Sequence, residues 1–425
     1  MIKTFKKTKK LIIKTSKYTN ILNMNNTNSL NKYYEFLKEK NINDYEQLKN
    51  IVTDNKYKLK VKTDKKQENL ALIYNNAKSN VEEDLVRFFN GVIIDKTTLK
   101  IVCYTFDKCL EDNVIDNSLL NSDLYIEPAY EGTLVRVFYS NQTWQFSTKK
   151  MINANNAHWV SPKSFGELFL EIFNQEILVN LNKNHCYSFL MSHNENNVVL
   201  KYDKNFLIHI CTVDLVQNCE IEVDIGIQKN SRVKIENSNN DYLIPYIEEL
   251  KNNGHNTEAG YILITSDYKR QKINKKLYSE HRELWGNTNN RLFRYLHLRK
   301  NNDILMKYLN YFTTDKELFL KYEHYLMGIS TYILDVYRNR HMTKTIQKIP
   351  FYMRDIIYKI HGMYLKTKNK VVFQDVNLML YELDEKRFCF IINHIEKDMK
   401  DMKEVKVNDI CPNDIDTHNN VIEMS

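Results

Sequence analysis

Glycine and proline are nearly absent, 9 and 5 in 425 residues, which excludes collagen-like chains and Gly-rich linker proteins. Cysteine is sparse and odd in number, seven in all, with no CxxC pair and no ligand-like spacing to histidine. These read as the reduced thiols of an intracellular protein, not as a disulfide framework or a zinc site. No apolar run approaches the roughly 18–20 residues that span a bilayer, so no membrane partner is expected. A Gly-rich phosphate loop is missing too, which leaves P-loop and dinucleotide-binding readings without support. No repeat of 20–50 residues is visible.

What is present is a globular composition, 43% hydrophobic and 27% charged, heavy in aromatics with 28 Tyr, 19 Phe and 3 Trp. The formal charge of +8 is unevenly placed: residues 1–34 hold eight lysines and no acid, and the rest balances at 53 basic against 53 acidic. The basic segment reads as a solvated tail, a nucleic-acid or nuclear-targeting arm, or an organellar presequence, the last disfavoured by its lack of arginine. Met24 is an alternative start.

Pattern along the chain divides it further. A helix is predicted over 33–51. Alternation and β-branched runs predict strands at 57–62, 91–95, 99–104, 132–139, 144–148, 187–191, 197–202, 207–213 and 261–265. Helices are predicted at 164–178 and 244–252, then at 303–311, 315–325, 328–339, 353–364 and 373–395. The fold class is therefore α+β, an antiparallel-sheet domain followed by an all-α C-terminal domain. The expected division is a basic tail over 1–34, a helix within 35–56, an α+β domain over 57–300, a helical domain over 301–410 and a tail over 411–425.

Four segments stand out by order and spacing. They are Phe89-Asn90-Gly91-Val92-Ile93-Ile94-Asp95; Glu127-Pro128-Ala129-Tyr130-Glu131-Gly132-Thr133-Leu134; Tyr187-Ser188-Phe189-Leu190-Met191; and Glu258-Ala259-Gly260-Tyr261-Ile262 leading to Gln271-Lys272-Ile273. In that order they resemble the motifs of phage-type RNA ligases, members of the covalent nucleotidyltransferase superfamily unrelated to ATP-grasp enzymes. The resemblance runs from about 57 to 300 and is similar to the degenerate ligase-like copies carried by large DNA viruses. It implies a fold in which a Lys-x-Asp-Gly lysine attacks the α-phosphate of ATP, later carboxylates hold ribose or metal, an aromatic covers the base, and a late lysine neutralises phosphate.

Laid on that pattern, the nucleophile position is Ala129, and no lysine lies between Lys108 and Lys149 to replace it. The acid survives as Glu131 beside Gly132. Leu190 stands where the resemblance implies a carboxylate, with Phe189 left to cover a base. Ala259 replaces another, with Glu258 displaced by one place, and Lys272 remains of the last motif. The implied nucleotide-binding set is Glu131, Gly132, Phe189 and Lys272; no metal ligand is assigned, and ATP or Mg would enter only an intact pocket. An ordinary turn before a strand explains Glu131-Gly132 equally simply.

Cations and aromatics interleave through Lys269, Arg270, Trp285, Arg294, Tyr295 and Arg299, a composition suited to unpaired bases and phosphates. It also suits arginine stems lying over apolar neighbours. The functional expectation is a ligase-like pseudoenzyme that binds RNA or another nucleic acid, a viral protein acting in the cytoplasm, a viral factory or a virion, not secreted. The rivals are an active RNA ligase or other nucleotidyltransferase with a displaced nucleophile, and a structural or virion-associated protein with a closed groove.

Overall fold

The structure is a computed structural model that describes residues 29–109, 123–235, 240–252 and 257–408. Most of the basic segment, Met24 and the tail over 411–425 lie outside the described residues. The chain divides into two units between Arg282 and Glu283, earlier than the boundary expected near 300.

The first unit opens with α1 (Ser29–Glu39) and α2 (Tyr45–Thr53) where one helix is predicted. Asn41 takes a left-handed φ of 50° that ends the first, and the Asp44 side chain accepts from Gln47 N–H to start the second. Then come β1 (Lys60–Asp64), β2 (Gln67–Tyr74), α3 (Asp84–Phe88), β3 (Asn90–Asp95) and β4 (Ile101–Cys103). They form a four-stranded antiparallel sheet in the order β1-β2-β3-β4. Its period-two alternation separates two cores. Ala71, Ile73, Val92 and Ile94 pack with Leu30, Tyr33 and Phe36, whereas Leu70, Leu72, Ile93 and Cys103 pack with Phe138, Ile152 and Cys186.

The next strands are β5 (Leu124–Ala129), β6 (Thr133–Ser140) and β7 (Thr143–Thr148), then α4 (Phe165–Leu170), β8 (His185–Ser192), β9 (Phe206–Asp214), β10 (Cys219–Ile221) and β11 (Val233–Ile235). A capping box between Ser164 and Glu167 fixes the start of α4. The unit ends with α5 (Asn240–Asn252), β12 (Gly260–Thr265), β13 (Arg270–Asn274) and α6 (Lys276–Trp285), the last running across the division. A second sheet has the order β10-β9-β8-β6-β7 and a third β11-β5-β12-β13, all pairs antiparallel. The second sheet packs Val135, Val137, Phe189 and Met191 on Leu168, Phe169 and Phe173, and the third packs Leu124, Ile126, Leu263 and Ile273 on Leu243 and Ile247 of α5.

The second unit holds α7 (Arg291–Leu298), α8 (Asn302–Tyr311), α9 (Asp315–His341), α10 (Arg354–Thr367), α11 (Phe373–Tyr381) and α12 (Glu385–Asn408). Its core gathers Ile329, Ile333, Ile357, Ile360, Val376, Ile391 and Ile395, all buried. The fold is thus mixed α and β with antiparallel sheets and a helical C-terminal region, as the sequence predicts. Among the described residues no helix is long and apolar enough to cross a membrane.

Candidate functional site

Register on the third sheet assembles the site. Gly260 is the Cα partner of both Ala129 and Asn274, Ile262 of Glu127 and Lys272, and Ile264 of Tyr125 and Arg270. Alternation puts Glu127, Ala129, Gly260, Asn274, Lys272 and Arg270 on one face, opposite the face that packs on α5. The sheet therefore brings the second and fourth sequence segments side by side, with the last lysine two residues along.

Ala129 ends β5, buried, and its carbonyl accepts Ala259 N–H at 2.7 Å. Glu131 is buried and already engaged: Oε2 accepts the backbone N–H of Val199 at 2.9 Å and of Leu200 at 2.6 Å, while its own N–H donates to Tyr202 Oη at 2.9 Å. Burial pushes the Glu131 carboxyl up, and the two backbone donors with Arg282 only partly oppose it. Glycines allow the close approaches. A Cβ on Gly132 would lie 2.5 Å from Met191 O, and one on Gly260 2.0 Å from Ile273 O.

Charges on this face are largely spent on one another. Arg270 Nη2 donates to Glu220 at 2.6 Å, and its guanidinium lies 4.8 Å from the Phe106 ring centre. Burial works against the Arg270 charge, and Glu220 more than offsets it. Glu127, also buried, has its carboxyl pushed up by burial, opposed by Arg232 and Arg270. Glu258, displaced by one place, pairs with the buried Lys275 at 2.8 Å, outside the face that carries Lys272. Lys272 is half-buried, its Nζ 5.9 Å from the Tyr278 ring centre, and makes no ion pair among the described residues. Lys269 is exposed and pairs with Asp267 at 3.2 Å.

Two expectations are corrected. Phe189 does not stand where a base could lie: it is fully buried on the opposite side of its strand from Leu190, its ring 5.6 Å from Phe173 and 5.8 Å from Phe169. The proposed contacts Trp285, Arg294, Tyr295 and Arg299 do not line a groove face either; each is used within the helical unit. Arg291 stacks on Trp285 at 3.7 Å, Arg294 caps α6 by donating to Leu284 O at 3.0 Å and Glu283 O at 3.0 Å, Tyr295 donates to Glu323, and Arg299 lies 5.0 Å from the Tyr381 ring. Replacing Arg294 and Arg299 together by Ala is accordingly expected to lower the stability of this unit by about 2–3 kcal/mol, with RNA affinity of the folded protein unchanged. Chemical denaturation beside an RNA titration checks it, and weakened binding at constant stability would contradict it.

Sequence reasoning assigned no role to Glu127, Tyr202 or Lys275. Glu127 had a signal, its period-two spacing from Ala129; Tyr202 and Lys275 had none, since both reach the site by tertiary register. A second cluster also needed the fold. Glu171, His193 and Glu195 bring ligand atoms within 4.8 Å of one another, but Lys163 Nζ sits at 2.9 and 2.7 Å from the two carboxylates. His193 Nδ1 accepts Glu195 N–H and Nε2 meets Glu171 at 3.0 Å, so both ring nitrogens are occupied. An ammonium already holds the position a metal ion would take.

At the position where the resemblance implies an attacking lysine, Ala129 offers a methyl group, and the neighbouring Glu131 carboxylate accepts two backbone N–H groups, a donor set that does not fit ATP chemistry there.

No family model matches the chain. It is similar to immediate-early protein ICP-46 homologs of two viruses. With that of Invertebrate iridescent virus 3 it is 29% identical over 131 residues, 27% of this chain and 29% of the relative. With that of Invertebrate iridescent virus 6 it is 24% identical over 282 residues, 59% of this chain and 61% of the relative. The chain thus spans less than two thirds of either relative. Solved structures similar to it include ATP-dependent RNA and DNA ligases. A putative ATP-dependent DNA ligase from Aquifex aeolicus gives a TM-score of 0.38 at 10% identity, covering 76% of this chain and 80% of that one. An archaeal ATP-dependent RNA ligase gives 0.39 at 9% identity, covering 69% and 73%.

Proposed function

We propose that this chain is a ligase-related protein that has lost the covalent step and serves as a nucleic-acid-binding component. One observation carries the loss: Ala129, with no amine to offer, occupies the strand end paired with Gly260, at the position where the resemblance requires the attacking lysine. Support for binding comes from the edge strand β13 and the start of α6, where Lys272 and the exposed Lys276 make no ion pair among the described residues. Cations left unpaired at an edge suit phosphate contacts that neutralise charge without reading sequence. The viral relatives favour action inside an infected cell.

Single-stranded RNA titrated by fluorescence anisotropy across a salt series tests the reading. Lys272→Ala with Lys276→Ala should weaken binding and flatten the log–log salt slope by about 1.4, at about 0.7 per lost phosphate contact. Deletion of residues 1–34, run in parallel, should flatten it further if the basic segment also touches phosphate. An unchanged slope in the double variant overturns the role of these lysines.

A second reading, a structural protein with a closed groove, is favoured by the Arg270–Glu220 pair and by the backbone capture of Glu131. It predicts that the full chain binds no RNA at any salt.

A further inference from the structure

We infer that Cys103 and Cys186 form a two-electron redox site that a hydroperoxide converts to a disulfide joining the first and second sheets. The two sulfurs are 3.5 Å apart, on β4 and β8, and both residues are fully buried. They face each other across the core between the sheets, among Leu70, Leu72, Ile93 and Phe138. Neither thiol belongs to the site on the third sheet.

The surroundings select one sulfur as the nucleophile. Arg136, 1% exposed, lies in the same interior with its guanidinium donating to Gly91 O and to Thr148 O at 2.6 Å. Its Nε has no hydrogen-bond partner, and no carboxylate pairs with it among the described residues. A buried cation without an acid needs an anion nearby. Cys186 donates its S–H toward Cys103, and Ser147 Oγ lies 3.8 Å from Cys103. Burial opposes ionisation of Cys103, but Cys186, Arg136 and Ser147 together bring its pKa below the ordinary thiol value; Cys186 is pushed above it. Cys211 is a contrast, buried with its S–H directed to Thr105 O and its pKa raised chiefly by burial.

The chemistry balances in two steps. The Cys103 sulfur attacks the terminal oxygen of the hydroperoxide, the O–O bond breaks, and the departing alkoxide takes a proton and leaves as an alcohol, or as water from hydrogen peroxide. The product is a sulfenic acid on Cys103. The Cys186 sulfur then attacks that sulfur, the S–O bond breaks, and the hydroxyl takes the Cys186 proton and leaves as water. Two thiols lose two electrons and two protons, and one hydroperoxide is reduced. Access requires opening a short seam: β4 has three residues and pairs with β3 through Cys103 and Ile101 alone.

The full chain, treated with a few equivalents of hydrogen peroxide and digested without reductant, gives the test by mass spectrometry. The expected product is one internal cross-link between the Cys103 and Cys186 peptides, lighter by two hydrogens and reversed by dithiothreitol. The oxidised chain should melt several degrees higher, because the bond closes a long loop. In Cys186→Ser, Cys103 should stop at the sulfenic acid and be trapped by dimedone; Cys211→Ser should leave the cross-link unchanged. If both thiols survive in the unsubstituted chain, or Cys103 pairs with another cysteine, the inference is overturned whether or not the variants fold.

Discussion

Incubated with radiolabelled ATP or GTP and resolved on a denaturing gel, the chain is expected to carry no label. A phosphoramidate bond needs an amine beside the α-phosphate, and Ala129 supplies a methyl group. Ala129→Lys alone is expected to leave the gel blank. The new side chain would enter a buried strand end, while Leu190 and Ala259 stand where the resemblance implies carboxylates, and Glu131 remains held by Val199 and Leu200 N–H. A labelled band from the unsubstituted chain would restore an active ligase with another lysine as nucleophile. A band only after Ala129→Lys would mean that carboxylates reach the nucleotide from other parts of the chain.

Arg270→Ala is expected to destabilise the first unit by about 3–5 kcal/mol, because it leaves the largely buried Glu220 carboxylate without its partner and removes one of the two arginines that oppose the burial of Glu127, Arg232 remaining. Replacing the pair by apolar residues, Arg270→Met with Glu220→Leu, should recover most of that loss. The pH dependence has a definite sign. Glu127 already has its folded-state pKa raised by burial, with Arg270 among the charges that limit the rise. Without the guanidinium the rise is larger, so the folded state holds protons that the unfolded chain has released. The stability deficit should therefore grow as pH rises through the unfolded carboxylate range and shrink in acid, where Glu127 is protonated in both states. Urea unfolding at a series of pH values checks this; a deficit independent of pH would place the Arg270 contribution in its packing on Phe106.

The sequence made regular, locally encoded features legible. The strands expected at 91–95, 132–139, 187–191 and 207–213 appear as β3, β6, β8 and β9, because alternation reports a half-buried ribbon directly. Other features depended on context. The run 197–202 has strand composition, but Val199 and Leu200 spend their N–H groups on Glu131 and form no ladder. Two helices are expected over 315–325 and 328–339, yet α9 runs through both as one, and nothing lies within 4 Å of a Cβ placed on Gly328 between them. In the site, the methyl group of Ala129 at the strand end could be read from residue types alone. The inward turn of Phe189 and the consumption of Trp285 and Tyr295 by packing could not, since aromatic side chains look the same in sequence whether they meet a base or a core.

Gly132 and Gly260 bear on how such a chain diverges. Each is held by a backbone carbonyl that would collide with any Cβ, Met191 O in one case and Ile273 O in the other. Selection for folding alone is enough to retain them. Ala129 and Leu190 answer to no such steric demand for a lysine or a carboxylate, and once turnover no longer matters they are free to drift. A lineage released from catalysis would shed its charged residues first and its glycines last. Ancestry in such chains is therefore best traced through the spacing of glycines between strands.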